Sequence, residues 1–286
     1  MPLINLQKIL APAYQQGYAV GAFNVVNFEF LEAIIVAATA KRSPVILNIA
    51  EVHFPYVNLE TICPVIKQIA ANADIPIALN LDHCLNFNSA VRALQNGFSS
   101  IMFDGSKLAY EENVRQTQEI VKMCHAVDVS VEAELGQVGG AEGGGLVGSA
   151  NAQYFTDPLM AVDFVKQTNV DALAVAIGNA HGFYQGDPQL DFARLQTINE
   201  KIARPLVLHG GSGISAKDFK KAIALGIAKI NFFTGMASAA MSATNKYLQE
   251  AGKLYNDYPE MQRQVKQAVI EVVAAQMEIF GSVNKA

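Results

Sequence analysis

PLVLHGGSGISAKDFKKAIALGIAKINFFT, residues 205–234, holds one complete structural unit. A short apolar run behind Pro205 ends at His209, and bare glycines follow. Ser215 stands where a helix N-cap belongs, and 215–225 carries apolar residues at helical spacing. A second apolar run, AKINFFT (228–234), closes the unit. Strand, crossover helix and strand in so short a span read as a parallel βαβ unit.

The same alternation continues back to the N-terminus. Apolar runs stand at AVGAFNV (19–25), PVILNIA (44–50), PIALNLD (76–82), SSIMFD (99–104), VSVEAEL (129–135) and DALAVAIG (171–178). Helical periodicity fills 28–41, 59–72, 86–96, 111–126, 157–168 and 191–202, with Asn58 and Asp157 at N-cap positions. Eight strands alternating with helices predict an α/β chain folded as a (β/α)8 TIM barrel. An open doubly wound sheet is the rival, but no GxGxxG follows the first strand. Two or more long helices fill 236–281, split near Asp257-Tyr258-Pro259. The reading is a single domain over 1–286, with 236–286 as a C-terminal helical extension.

The composition, 51% hydrophobic and 16% charged, suits strands buried on both faces. No apolar stretch reaches about 18 residues, so no membrane span is expected. The start, MPLINLQKILAPAYQQ, lacks the basic and apolar segments of a secretory signal, which predicts a cytoplasmic protein. A net charge of -5 argues against nucleic-acid binding. Cys63, Cys84 and Cys124 form no CxxC and read as free thiols in a reducing compartment.

Barrel enzymes carry their reacting groups at the C-terminal strand ends. Here those ends give Asn24, Asp82-His83, Asp104, Glu132 and Glu134, His181, His209, and Asn231 with Thr234. Three of the five histidines fall among them. Three imidazoles converging from separate strands make a catalytic zinc site with an open position. The bland alternative is hydrogen-bonding core histidines, which is the preferred reading for His53 and His125. HGGSGIS (209–215) reads as a phosphate loop, because bare glycines and a helix N-terminus suit an anion. Asp82 is a candidate general acid/base, or an orienting partner for a histidine. Glu132 and Glu134 share a strand face and could orient ligands or hold a second metal position. Glu142 lies in the glycine-rich stretch 136–156, a candidate mobile loop over the site.

LDHC (81–84), VEAELGQVGGAEGG (131–144), AVAIGNAHG (174–182), LVLHGGSGI (206–214) and KIN (229–231) resemble the class II, zinc-dependent fructose- and tagatose-bisphosphate aldolases. The likeness spans roughly residues 5–282 and leans to the tagatose-type branch. It implies cleavage of a phosphorylated ketose to dihydroxyacetone phosphate and an aldehyde. It further implies His83, His181 and His209 as zinc ligands, with Asp82 handling the C4 hydroxyl proton. Asp104 and Glu134 match positions that hold the metal when it moves out, and Glu132 a supporting position behind a ligand. Glu142 matches the loop carboxylate that exchanges the C3 proton. Gly182, Gly210, Gly211, Ser212, Asn231 and Thr234 match the site of the triose half, and Asn24 is grouped with them. The family implies a monovalent cation (Na+ or K+) near the phosphate and a homodimer or homotetramer.

The chain departs from the pattern at Phe233, where fructose-type relatives carry Asp, and at Gly235, where relatives keep an acid. Ala50 or Glu51, and Glu260, stand where a Ser and an Arg grip the far phosphate. Carboxylates there predict an unphosphorylated aldehyde half, with Arg263 as a possible counter-charge. Three other readings use the same residues: a metal-dependent sugar-phosphate isomerase or epimerase, a non-catalytic partner subunit, and a Schiff-base aldolase on Lys229.

Overall fold

The computed structural model describes residues 2–140, 146–147, 151–251 and 257–286. Eight parallel strands close into a barrel: β1 (Val20–Asn24), β2 (Val45–Ala50), β3 (Ile77–Cys84), β4 (Ser100–Phe103), β5 (Ser130–Leu135), β6 (Ala172–Val175), β7 (Leu206–Leu208) and β8 (Ile227–Phe232). They follow one another in sequence order around the barrel until β8 pairs with β1. Between them run α2 (Phe28–Lys41), α3 (Leu59–Asn72), α4 (Phe87–Asn96), α5 (Tyr110–His125), α6 (Pro158–Thr168), α7 (Phe192–Lys201) and α8 (Ala216–Ala224). Each lies within a residue of its expected span. Asn58, Asp157 and Ser215 cap as expected, accepting from backbone N–H groups of the first turns of α3, α6 and α8.

Two of the strands stop at least two residues short of a site residue expected at their ends. β6 ends at Val175, because side chains take the next amides out of the ladder. Ala176 N donates to Thr156 Oγ1 and Ile177 N to Asn179 Oδ1. Then Gly178 turns the chain at φ 108°, where an added Cβ would lie 2.3 Å from the Gln189 carbonyl oxygen. His181 therefore sits on a loop beyond β6 and not at its end. β8 stops at Phe232, so Thr234 opens a helix, α9 (Thr234–Ala251), rather than ending a strand. The other C-terminal helix, α10 (Tyr258–Phe280), buries Val265, Val269, Val273, Met277 and Phe280 and packs on α2, α8 and α9.

One helix has no counterpart in the expected list. α1 (Leu6–Gln16) is capped by Asn5 and closed by Gly17, with Leu6, Ile9, Leu10 and Ala13 buried at helical spacing. Those residues cluster with Val20, Ala22, Ile46, Ala78, Ala172, Ala174, Val207 and Ala228, the inward side chains of the lower barrel. The alanines there are too small to fill the interior, and α1 plugs it from below. The chain's last amides return to the same face, since Lys285 and Ala286 donate to the Arg42 carbonyl at the foot of α2. No helix among the described residues is long and apolar enough to cross a membrane. All three cysteines are buried and unbridged.

Candidate metal and substrate site

Above the alanine layer the barrel interior turns polar. Asn24, Asn48, Asn80, Asp82, Glu132, Glu134, His209, Lys229 and Asn231 are all buried there. Neighbouring strand residues ordinarily face opposite sides, yet Asp82 and His83 both reach the site. A register shift against β4 between Leu81 and Cys84, with His83 held at φ 47°, turns the second side chain inward. Left-handed backbone is strained for an imidazole residue, and such strain is tolerated at functional positions.

Three imidazoles converge. His83 Nε2 lies 3.1 Å from His181 Nε2 and 3.0 Å from His209 Nδ1. The far nitrogens identify the tautomers: His209 Nε2 lies 2.8 Å from Glu132 Oε1, and His83 Nδ1 lies 3.0 Å from Asp104 Oδ2. An imidazole N–H donating to each carboxylate leaves a lone pair on the inward nitrogen. Burial first, then the neighbouring His83, holds His181 and His209 well below the ordinary histidine pKa, so both are neutral. Lone pairs facing one another at 3 Å repel unless a cation lies between them. Nitrogens bound tetrahedrally at 2.0–2.1 Å stand roughly 3.3 Å apart, close to the spacing here. The donor set therefore fits a divalent metal.

A second donor group shares His83. His83, Asp104 and Glu134 offer ligand atoms within 4.8 Å of one another, as do the three histidines. Burial raises Asp104, but its contact with His83, then the hydrogen bonds from Ser106, outweigh it and hold it below the usual carboxylate range. Burial, then the Asp104 charge, pushes Glu134 up to about 8. Glu134 Oε1 accepts from Val138 N, and Oε2 is buried without a hydrogen-bond partner among the described residues. A cation would let both carboxylates ionise together.

Asp82 is fully buried beside the trio. Its Oδ1 accepts from Asn231 Nδ2 at 2.9 Å, while Oδ2 has no partner among the described residues. The same Asn231 amide lies 3.2 Å from His209 Nδ1, so one side chain spans carboxylate and imidazole. Glu132 is gripped from both sides, by His209 and by the Lys229 amine at 2.5 Å, and all three are fully buried.

The glycine-rich loop after β7, expected to hold a phosphate, meets the start of α9. Gly235 N donates to Ser212 Oγ, tying the β7 loop to the helix N-terminus. Gly210 takes φ 65°, and an added Cβ would lie 2.1 Å from the Ala180 carbonyl oxygen. The Gly211 N–H is spent on the Asn231 carbonyl, so this glycine serves close packing instead of offering its amide to an anion. Gly182, also with positive φ, follows His181 on the adjoining loop. Glu142 and most of its glycine-rich stretch lie outside the described residues.

Two expectations about charge change. Both Glu51 oxygens are engaged, by Leu85 N, Asn86 Nδ2 and Ser89 Oγ, so this carboxylate braces the start of α4. Glu260 pairs with Arg263 at 2.7 Å on an exposed turn of α10. The Glu260 charge is thus paired locally, while Glu51 is held against α4 by neutral donors. Sequence reading also passed over Tyr184, whose hydroxyl accepts from Ala180 N and donates to the Gly210 carbonyl, joining the His181 loop to the phosphate loop. Its aromatic type two residues beyond the NAHG run was the available signal.

A sequence profile described as fructose-bisphosphate aldolase class-II matches residues 4–285. Over 289 residues the chain is 39% identical to a protein named as a probable fructose-bisphosphate aldolase of Bacillus subtilis (strain 168), with 100% of each covered. The crystal structure of the YdjI aldolase from Escherichia coli K12 superposes with a TM-score of 0.88 at 35% identity, covering 99% of each chain. Fructose-bisphosphate aldolase from Campylobacter jejuni, at TM-score 0.84 and 22% identity, covers 100% of this chain and 97% of that one and adds a likeness of fold.

Proposed function

Because the chain belongs to the class-II fructose-bisphosphate aldolase family, we propose that it is a zinc-dependent enzyme of reversible aldol cleavage. Its substrate is a phosphorylated ketose, either a 1,6-bisphosphate or a 1-phosphate, and its products are dihydroxyacetone phosphate and an aldehyde. The observation that carries this reading is the convergence of three imidazoles beside the buried Asp82, to which Asn231 links His209. His83, His181 and His209 would hold the zinc, with Asp104 and Glu134 as its outlying position and Glu132 steadying His209. When bound, zinc supplies Lewis acidity at the ketose carbonyl, worth several kcal/mol.

The chain's own groups do the rest. Asp82 removes the C4 hydroxyl proton through Oδ2, while Asn231 fixes the carboxylate through Oδ1. Glu142 exchanges the C3 proton. Gly182, Gly210, Ser212, Asn231, Thr234 and Asn24 receive the triose half, Gly211 lets the loop pack closely there, and the N-terminus of α9 faces its phosphate. A monovalent cation beside that phosphate belongs to the same proposal and rests on the family resemblance. Exposed Met241, Leu248 and Tyr258 on the C-terminal helices support a homodimer or homotetramer. The free thiols support a reducing, cytoplasmic setting. A Schiff-base route is disfavoured because the Lys229 amine is engaged by Glu132.

The test is metal removal. Chelation should abolish dihydroxyacetone phosphate formation, zinc should restore it, and borohydride with substrate should trap nothing. Full activity in metal-free protein, or a covalent adduct on Lys229, would overturn the reading.

A further inference from the structure

His53 has no part in the chemistry above, yet it is only 7% exposed at the mouth of the barrel. It ends the short turn Glu51–His53 that follows β2. Its ring packs edge-on against Phe233, with centroids 4.8 Å apart and planes at 62°. Phe233 follows β8, and β1 lies between β2 and β8 in the barrel. The contact therefore arches over the C-terminal end of β1, where Asn24 sits. Phe233 is partly buried and leans on the core behind the strands, so the contact closes over the top of β1 from a fixed base.

Two buried polar atoms on this side lack partners among the described residues: His53 Nδ1 and Asp82 Oδ2. They are neighbours in the fold, since Ala50 at the end of β2 pairs with Asp82 in β3 and His53 follows three residues on; burial lowers the His53 pKa, and the Asp82 charge opposes it. Burying a polar group without a partner is costly, so such pairs mark places where a hydroxyl-bearing molecule belongs. No cation stands on the turn itself. A dianion would therefore meet no Arg or Lys on Glu51–His53.

We propose that His53, braced by Phe233, reads the aldehyde half of the substrate by bonding a hydroxyl next to the carbon that Asp82 serves, and that this wall favours an uncharged hydroxylated aldehyde over a phosphorylated one. This rests on the aldolase reading above. The imidazole supplies the hydrogen bond. The phenyl ring fixes its orientation and offers a distal phosphate no polar contact of its own.

The experiment is condensation of dihydroxyacetone phosphate with glyceraldehyde or glyceraldehyde 3-phosphate by the zinc-loaded full chain. Solvent exchange of the dihydroxyacetone phosphate C3 proton by the wild type is followed separately. Wild-type kcat/KM should be at least about tenfold higher for glyceraldehyde. His53→Ala should raise KM for glyceraldehyde about tenfold or more with a smaller effect on kcat, and His53→Gln, which keeps a hydrogen-bonding group, should recover part of it. Phe233→Arg should move the ratio toward the phosphorylated aldehyde. A wild-type preference for glyceraldehyde 3-phosphate overturns the proposal, as does an unchanged ratio in His53→Ala, His53→Gln and Phe233→Arg together. Absence of C3 exchange in the wild type would instead remove the aldolase reading on which it rests.

Discussion

Replacing Lys229 by Met would strip Glu132 of a partner it cannot replace. The amine and the carboxylate stand 2.5 Å apart with both side chains fully buried, and Met keeps most of the apolar stem's volume. The loss is therefore electrostatic. Removing one member of a buried pair costs about 3–5 kcal/mol, because the other is left charged without compensation. Against a typical total stability of about 5–15 kcal/mol this is a large share. The double variant Lys229→Met/Glu132→Gln removes both charges, while the Gln carbonyl can still accept from His209 Nε2. It should recover most of the loss and sit within about 1.5 kcal/mol of wild type, since apolar or neutral replacement of a whole buried pair is often tolerated. Urea unfolding, with and without chelator to separate metal linkage, reads both values from the midpoint at constant slope. A single variant within about 1 kcal/mol of wild type, or a double variant no better than the single, would refute the reasoning.

Two further outcomes follow from the geometry. Asp82→Ala should lower kcat for cleavage by about 10²–10⁴-fold while the protein still binds zinc, whereas Glu142→Ala should slow C3 proton exchange; a wild-type exchange rate in the latter removes Glu142 from its role. Burial pushes the Cys63 thiol up to about 11 and the Cys124 thiol up to about 12, from a model-compound value of 9.0. In the unfolded chain these thiols lose their protons from about pH 9, so the unfolded state binds fewer protons there and stability falls as pH rises toward 11–12. Below pH 9 that contribution is intact. Thermal unfolding across pH 8–11 checks the trend, and iodoacetamide should label neither thiol at pH 8 until the protein unfolds.

Most of the barrel was legible because its signals are local. Apolar runs and caps such as Asn58 and Ser215 are decided within a few residues, and helix spans matched to a residue. α1 carried the same signals, Asn5, a buried face at 6, 9, 10 and 13, and Gly17. It was missed because a helix before the first strand has no place in the βα alternation. The His83 bulge was not legible, since a register shift depends on the neighbouring strand and leaves no mark on composition. Lys229 and Glu132 are 97 positions apart, and only closure of the barrel brings them together. Glu51 looked like a charge facing substrate because its hydrogen-bond partners, 34 to 38 residues on, cannot be read from spacing.

The plug beneath the barrel also decides how the protein can be handled. Pro2 precedes α1 on the lower face, and Ala286 is tied to Arg42 on that face, while the imidazole trio opens at the other. A bead, surface or fusion partner joined at either position leaves the catalytic mouth turned toward bulk solution. The two attachments are not equivalent, however. A pull on the N-terminal side loads the helix that fills the alanine-lined hollow, so immobilisation through residue 286 is the gentler choice for a reusable catalyst.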